Sequence, residues 1–133
     1  MKSNRAIGND FENELCDILF DEGFWVHNLK QNEAGQPADV IAVRNEKAHL
    51  IDCKHCSSKG FDTSRIESNQ ETAMQLWGEC GNGDGWFALK IDDEIWMLSR
   101  SSIMELEGCP YRISFEKIYE IATPLAEWVN ECE

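Results

Sequence analysis

The sequence predicts a single α/β layered domain, a mixed β-sheet flanked by helices in the order αβββαββα. Three observations predict it. A chain of 133 residues suits one domain and leaves little room for a second. Apolar residues make up 42%, enough for a normal core and too many for a disordered chain. Finally, apolar positions switch repeatedly between the helical repeat and the two-residue repeat of strands, with no internal repeat and no low-complexity segment.

The first helix is expected over about 10–22. Asn9 and Asp10 supply an Asx cap, Phe11, Leu15, Ile18 and Leu19 share a face, and Gly23 ends it. Residues 24–29 read as a strand. Residues 30–38, polar and containing Gly35 and Pro37, read as a loop. Residues 39–44 and 48–54 form a hairpin turning at 45–47. A polar, irregular stretch follows to residue 65, and then a second helix over about 66–78 carrying Ile66, Ala73, Met74, Leu76 and Trp77. Gly81-Asn-Gly-Asp-Gly85 is a sharp turn. It lacks the Lys-Ser/Thr of a phosphate-cradling loop. Strands are expected at 86–91 and 95–99, a short helix near 101–106, and a last helix near 115–130 that Pro124 bends or interrupts. The whole chain, 1–133, reads as one domain with a core at about 8–100 and a C-terminal extension at 101–133.

No apolar run approaches the roughly 20 residues that span a bilayer, and no apolar stretch precedes Phe11 as a secretory signal would require. A cytoplasmic setting is therefore expected. Cys53 and Cys56 form a Cys-x-x-Cys. It has no second pair to complete a zinc site, so the six cysteines read as free thiols. The five tryptophans read as core or interface residues. Net charge is −13, unusual for a protein that grips DNA. It is unevenly spread: residues 1–66 hold 8 basic and 11 acidic side chains, residues 67–133 hold 4 and 14. The basic groups thus concentrate in the half that carries the candidate chemistry.

That chemistry rests on Asp39, Asp52, Lys54 and Glu12. Side chains two apart on a strand point to one face, so Asp52 and Lys54 project together and Cys53 points the other way. The hairpin returns Asp39 to Asp52, and helix 1 adds Glu12, with Glu14 as the alternative. Two charges in the middle of an otherwise apolar strand call for a functional reason. Mg²⁺ takes hard oxygen ligands and keeps several waters, so two carboxylates suffice to hold it. Such a metal, with Mn²⁺ as a substitute, polarises a phosphate and activates a water. Lys54 would orient the water or stabilise developing charge, and the backbone carbonyl of Cys53 is a further candidate ligand.

Pro37-Ala-Asp39 followed by Asp52-Cys-Lys54 resembles the PD-(D/E)XK nuclease signature. The longer pattern resembles the archaeal-type Holliday junction resolvases: Gly8-Asn-Asp-Phe-Glu12-Asn-Glu-Leu15, Glu22-Gly-Phe-Trp-Val26, Asp39-Val-Ile-Ala42, Leu50-Ile-Asp-Cys-Lys54. It continues more weakly to about residue 100. The resemblance implies a restriction-endonuclease-like core and a metal-dependent endonuclease acting on branched DNA. It also implies catalytic roles for Glu12, Asp39, Asp52 and Lys54. Three departures stand out: an Ala separates Pro37 from Asp39, Asp52 stands where Glu is commoner, and the family's basic DNA-binding surface is mostly missing. Gln70 falls where relatives place a Gln or Lys near the metal. Lys30, Gln31 and Asn32 before Asp39, and Ser57, Ser58, Lys59, Thr63 and Arg65 after Lys54, suit phosphate contacts. His55 reads as a surface or structural residue. Two symmetric cuts in a junction imply a C2 homodimer. The rival readings are a nuclease of the same fold for another DNA, phage- or plasmid-borne, a non-catalytic acidic module that binds a protein partner, and an acidic DNA mimic.

Overall fold

The computed structural model describes residues 4–29, 38–57, 59–108 and 110–132. Helix α1 (Asn4–Asp21) leads into strand β1 (Trp25–Asn28). Strands β2 (Val40–Arg44) and β3 (Lys47–Cys56) form the expected antiparallel hairpin, with Val40 opposite Ile51. Its two-residue turn places Asn45 at φ 53° and Glu46 at φ 67°. Paired positive values are those of the tight turns whose twist matches a hairpin. After the two-residue β4 (Phe61–Asp62) and α2 (Ser68–Trp77), β5 (Gly85–Ile91) returns parallel to β3, with Asp52 beside Phe87. Strand β6 (Glu94–Ser99) pairs antiparallel with β5. Then come α3 (Arg100–Met104), β7 (Arg112–Ile113), α4 (Phe115–Ile121), β8 (Thr123–Pro124) and α5 (Leu125–Glu131). The main sheet runs β1-β2-β3-β5-β6-β8, and β4 pairs with β7 in a separate two-residue ladder.

This is the mixed sheet flanked by helices that the sequence predicts, and strand parity sorts its core. Val40, Ala42, Ile51, Ala88, Ile95 and Met97 face one way, toward Phe11, Leu15 and Leu19 of α1 and Leu125, Trp128 and Val129 of α5. Leu50, Cys56, Phe87, Leu89, Ile91 and Leu98 face the other, toward Met74 of α2 and Ile118 of α4. Gly85 lets α2 approach this closely, because a Cβ there would lie 2.4 Å from the Met74 side chain.

Four expectations are corrected. Helix α1 begins at Asn4, so Asn9 and Asp10 are interior residues and not a cap. Gly8 costs about 1 kcal/mol against alanine inside a helix and does not stop it. The stretch before residue 66 is not wholly irregular. Strand β3 runs on to Cys56, and Gly60, at φ 128°, brings β4 onto β7. A Cβ at Gly60 would sit 2.3 Å from the carbonyl oxygen of Ile113. The last helix is two helices, since Thr123–Pro124 breaks away to pair with Trp96 and Met97 of β6. Residues 101–133 are no appendage. Trp128 is 2% exposed, stacks on Phe24 and meets Trp86 edge-on. Arg44 ties this corner together, donating to the carbonyls of Glu22 and Val129 and lying over the Phe24 ring.

Among the described residues no helix is long and apolar enough to cross a membrane. Cys16, Cys53, Cys56, Cys80 and Cys132 are unbridged. Cys53 and Cys56 pack against opposite faces of the sheet, which precludes a shared zinc.

Candidate active site

Asp52 and Lys54 project together from β3 on the α2 side, as their spacing requires. Lys54 Nζ lies 3.0 Å from Asp52 Oδ2, and Asp52 is fully buried. Where the β2–β3 ladder ends, the Asp39 amide donates to the carbonyl of Ile51 and its side chain takes over the pairing: Cys53 N donates to Asp39 Oδ2 at 2.7 Å. That bond fixes Asp39 against β3 one residue from Asp52. The Cys53 side chain packs away, into the α1 side of the core.

Glu12 reaches this cluster from the third turn of α1, hydrogen-bonding Asp39. It is too far along the helix to be an acid stabilising the N-terminal dipole. Burial, then the bond to Asp39, then the charges of Asp39 and Asp52 push its carboxyl up to about 8. Asp52 is pushed up to about 8 as well, first by burial and then by the charge of Asp39, with Lys54 opposing. Glu14 is no alternative to Glu12: it is paired with Lys90 of β5.

Gln70 is 7% exposed and belongs to the site as a support. Its Nε2 donates to Asp52 Oδ1 at 2.9 Å, while its Oε1 accepts from Lys54 Nζ at 3.3 Å and from the Glu67 amide at 3.1 Å. The last bond is half of the capping box that starts α2. Both amide atoms are engaged inside the protein, and the structure sets Gln70 beside the candidate metal-binding carboxylates rather than on a solvated helix face.

Lys54 opens into a cavity of about 620 Å³ whose other bases are His55, Lys59, Arg65 and Arg112, with Asp62 its acidic side chain. Ser57 lines it too, and Ile7 and Gly8 of α1 form one wall. Arg65 donates to the carbonyl of His55 at 2.9 Å. Thr63, expected among the phosphate contacts, instead donates to the carbonyls of Pro110 and Tyr111 at 3.1 Å and fastens β4 to β7. Lys30, Gln31, Asn32, Pro37 and Ser58 lie outside the described residues. Arg112 is the basic residue that the sequence reading missed. The β4–β7 ladder brings it here from 50 positions beyond Asp62, to which its Nε donates at 2.6 Å.

The arrangement suits a cation. Three carboxyls converge where two of them resist ionisation, and Asp52 Oδ2 is buried without a hydrogen-bond donor although Lys54 Nζ is near. Among the described residues no group of three or more His, Cys, Asp or Glu side chains is placed to hold a metal ion by itself. The groups at hand are Glu12, Asp39, Asp52 and the Cys53 carbonyl, an all-oxygen set suited to Mg²⁺, which keeps water in its shell.

Residues 3–133 match the family model described as archaeal Holliday junction resolvase (Hjc). Among solved structures, that of Archaeoglobus fulgidus Hjc, a Holliday junction resolvase from an archaeal hyperthermophile, superposes with a TM-score of 0.73. The likeness covers 92% of this chain and 99% of that one at 16% identity, so it is a likeness of fold. No curated protein sequence matches.

Proposed function

Since the chain belongs to the archaeal Holliday junction resolvase family, we propose that it is a divalent-metal-dependent endonuclease that resolves branched DNA by hydrolysing phosphodiester bonds at the Asp39–Asp52–Lys54 site. The observation that carries the site is the convergence of Glu12, Asp39 and Asp52, the last ion-paired with Lys54 at 3.0 Å, beside a basic cavity.

Asp39 and Asp52, with Glu12 and the Cys53 carbonyl, would hold Mg²⁺, or Mn²⁺ in its place. A cation held there would supply polarisation of the scissile phosphate and would lower the pKa of a bound water. Lys54, 13% exposed and held between Asp52 and Gln70, presents its ammonium to the cavity. It orients the attacking water and offsets charge on the phosphate oxygens as the bond to phosphorus forms. Gln70 keeps Asp52 in one orientation. Lys59, Arg65, Arg112 and Ser57 line the cavity and receive phosphates flanking the cut. Each chain supplies one such site, so paired nicks in opposite strands of a junction call for a homodimer about a two-fold axis.

Cleavage of a labelled four-way junction, beside duplex and single strand of the same sequence, tests this in Mg²⁺ and in EDTA. Paired nicks in the junction that need the metal and vanish in Asp52→Asn are expected. Cutting of duplex or single strand instead would keep the site and overturn the substrate. No cutting in Mg²⁺ or Mn²⁺ would overturn the enzyme.

A further inference from the structure

On the other side of α1 from Glu12 lies a second cavity, of about 490 Å³, between α1, the β5–β6 turn, β6 and α5. Its floor is apolar, built from Ile18, Ile95, Leu125 and Val129 with Trp96 and Pro124 as walls. Its rim is acidic. Glu22, Asp93 and Glu94 are exposed there, and Glu14 is tied to Lys90. A neighbouring cavity of about 570 Å³ shares Asp93, Glu94 and Trp96 and adds Asp92 and Tyr119, so the groove continues past the turn. No Lys, Arg or His is among the described residues lining either part.

These features select an occupant. A phosphate backbone is repelled by a rim of carboxylates, whereas the cavity beside Lys54 attracts one. A second copy presenting this same face would set acid against acid. An apolar floor with an anionic rim complements a segment with the opposite pattern, apolar on one side and Lys/Arg-rich on the other. Positions 14 and 18 share one face of α1, Glu22 follows just past its end, and Glu12 lies roughly 200° around the helix from Glu14. The groove and the active site therefore face apart, and both can be filled at once.

We propose that this groove is a docking site for a basic amphipathic segment of a protein partner, whose apolar side chains pack on the half-buried Ile18, Trp96 and Pro124, above the buried Ile95 and Val129, while its cations meet Glu22, Asp93 and Glu94. The site is separate from the nuclease reading and does not depend on it. It also gives a use to acidic residues of the second half of the chain, where 14 acids face 4 bases.

The probe is a synthetic peptide with leucine and lysine at helical spacing, titrated into ¹⁵N-labelled protein up to about 1 mM, a weak specific affinity. Controls are the peptide with every lysine replaced by glutamate and a scrambled sequence of the same composition. Shifts confined to the groove residues are expected, with the glutamate and scrambled peptides inert. Asp93→Lys/Glu94→Lys should weaken binding at least tenfold, and Asp93→Asn/Glu94→Gln by less, with junction cleavage unchanged. An absence of shifts, shifts at the Lys54 cavity instead, equal binding of the scrambled peptide, or indifference to charge reversal would each overturn the proposal. So would sedimentation showing that Asp93→Lys/Glu94→Lys dissociates or creates a dimer, which would make the groove a contact between copies of this chain.

Discussion

Gln70 Nε2 donates to Asp52 Oδ1 at 2.9 Å, joining the start of α2 to the middle of β3. Asp52 is fully buried and its other oxygen faces the Lys54 ammonium at 3.0 Å, so this amide is its neutral support. Gln70→Glu keeps an oxygen for the Glu67 amide but removes the donor and sets a second carboxylate against the first. Leaving a buried acceptor unsatisfied costs about 1–3 kcal/mol, and loss of a residue that orients a metal-binding carboxylate lowers metal affinity or activity roughly 10–100-fold. Thermal melts and single-turnover cleavage across a Mg²⁺ titration measure both. A variant that melts lower but cleaves at the wild-type rate would limit Gln70 to capping α2.

The raised carboxyls make the metal-free protein sensitive to alkali. Asp52 and Glu12 hold their protons up to about pH 8 in the native state but release them near pH 4 when unfolded. Between those values the native state binds more protons, so stability falls as pH rises from about 4 to about 8 and then levels off. Melting temperatures in EDTA should decline across that window. Asp52→Asn should decline less and melt above wild type at pH 8, and Mg²⁺ should restore wild type by replacing the protons. A pH-independent melt in EDTA would contradict the crowding of these three acids.

Arg112 is exposed, pairs with Asp62 and lines the cavity beside Lys54. If it contacts a phosphate, Arg112→Ala weakens junction binding several-fold and lowers the slope of log affinity against log salt by about 1. Cleavage of bound junction should change little. Gly60→Ala should act on the same quantity indirectly, by forcing β4 away from the Ile113 carbonyl. Anisotropy titrations from low to moderate salt read both effects, and an unchanged slope in Arg112→Ala would remove it from the DNA path.

Glu46 holds φ 67° in the β2–β3 turn, where a side chain is strained and glycine is not. Glu46→Gly therefore creates the Asn-Gly pair that this turn favours, with a stability gain of about 1 kcal/mol, roughly 3–5 °C in Tm for a chain of this size. Urea unfolding provides the check. A loss of stability would mean that Glu46 makes a contact worth more than the strain.

What was legible in the sequence follows physical lines. Asp52 and Lys54 share a face because strand parity is local, and a short hairpin leaves Asp39 only one neighbourhood. The structure brings Glu12 to this cluster on a helix that begins six residues before the expected start. Gly8-Asn9-Asp10 imitates a helix start when it stands alone. Strands of two residues, such as β4, β7 and β8, carry no period to detect. Arg112 therefore gave no local signal, because its position depends on a ladder between segments 50 residues apart. Gln70 is legible as a residue near the metal, but its bonds are not, since a sequence does not show that one amide can serve a cap, a carboxylate and an ammonium together. In the last segment Leu125, Trp128 and Val129 are spaced as a buried helix face, yet nothing local says that the face closes on Phe11 and Leu15.

That closure links α1 and α5 in time as well as in space. The α1 side of the core cannot be completed until Leu125, Trp128 and Val129 have been made, so a chain interrupted before them leaves Phe11, Leu15 and Phe24 facing water. Glu12 rides on the same helix as Phe11 and Leu15. A fragment that already carries Asp39, Asp52 and Lys54 would lack a firm seat for its third carboxylate. Translation would then act as a safety catch, because the carboxylate cluster is fully seated only when Leu125, Trp128 and Val129 have been made.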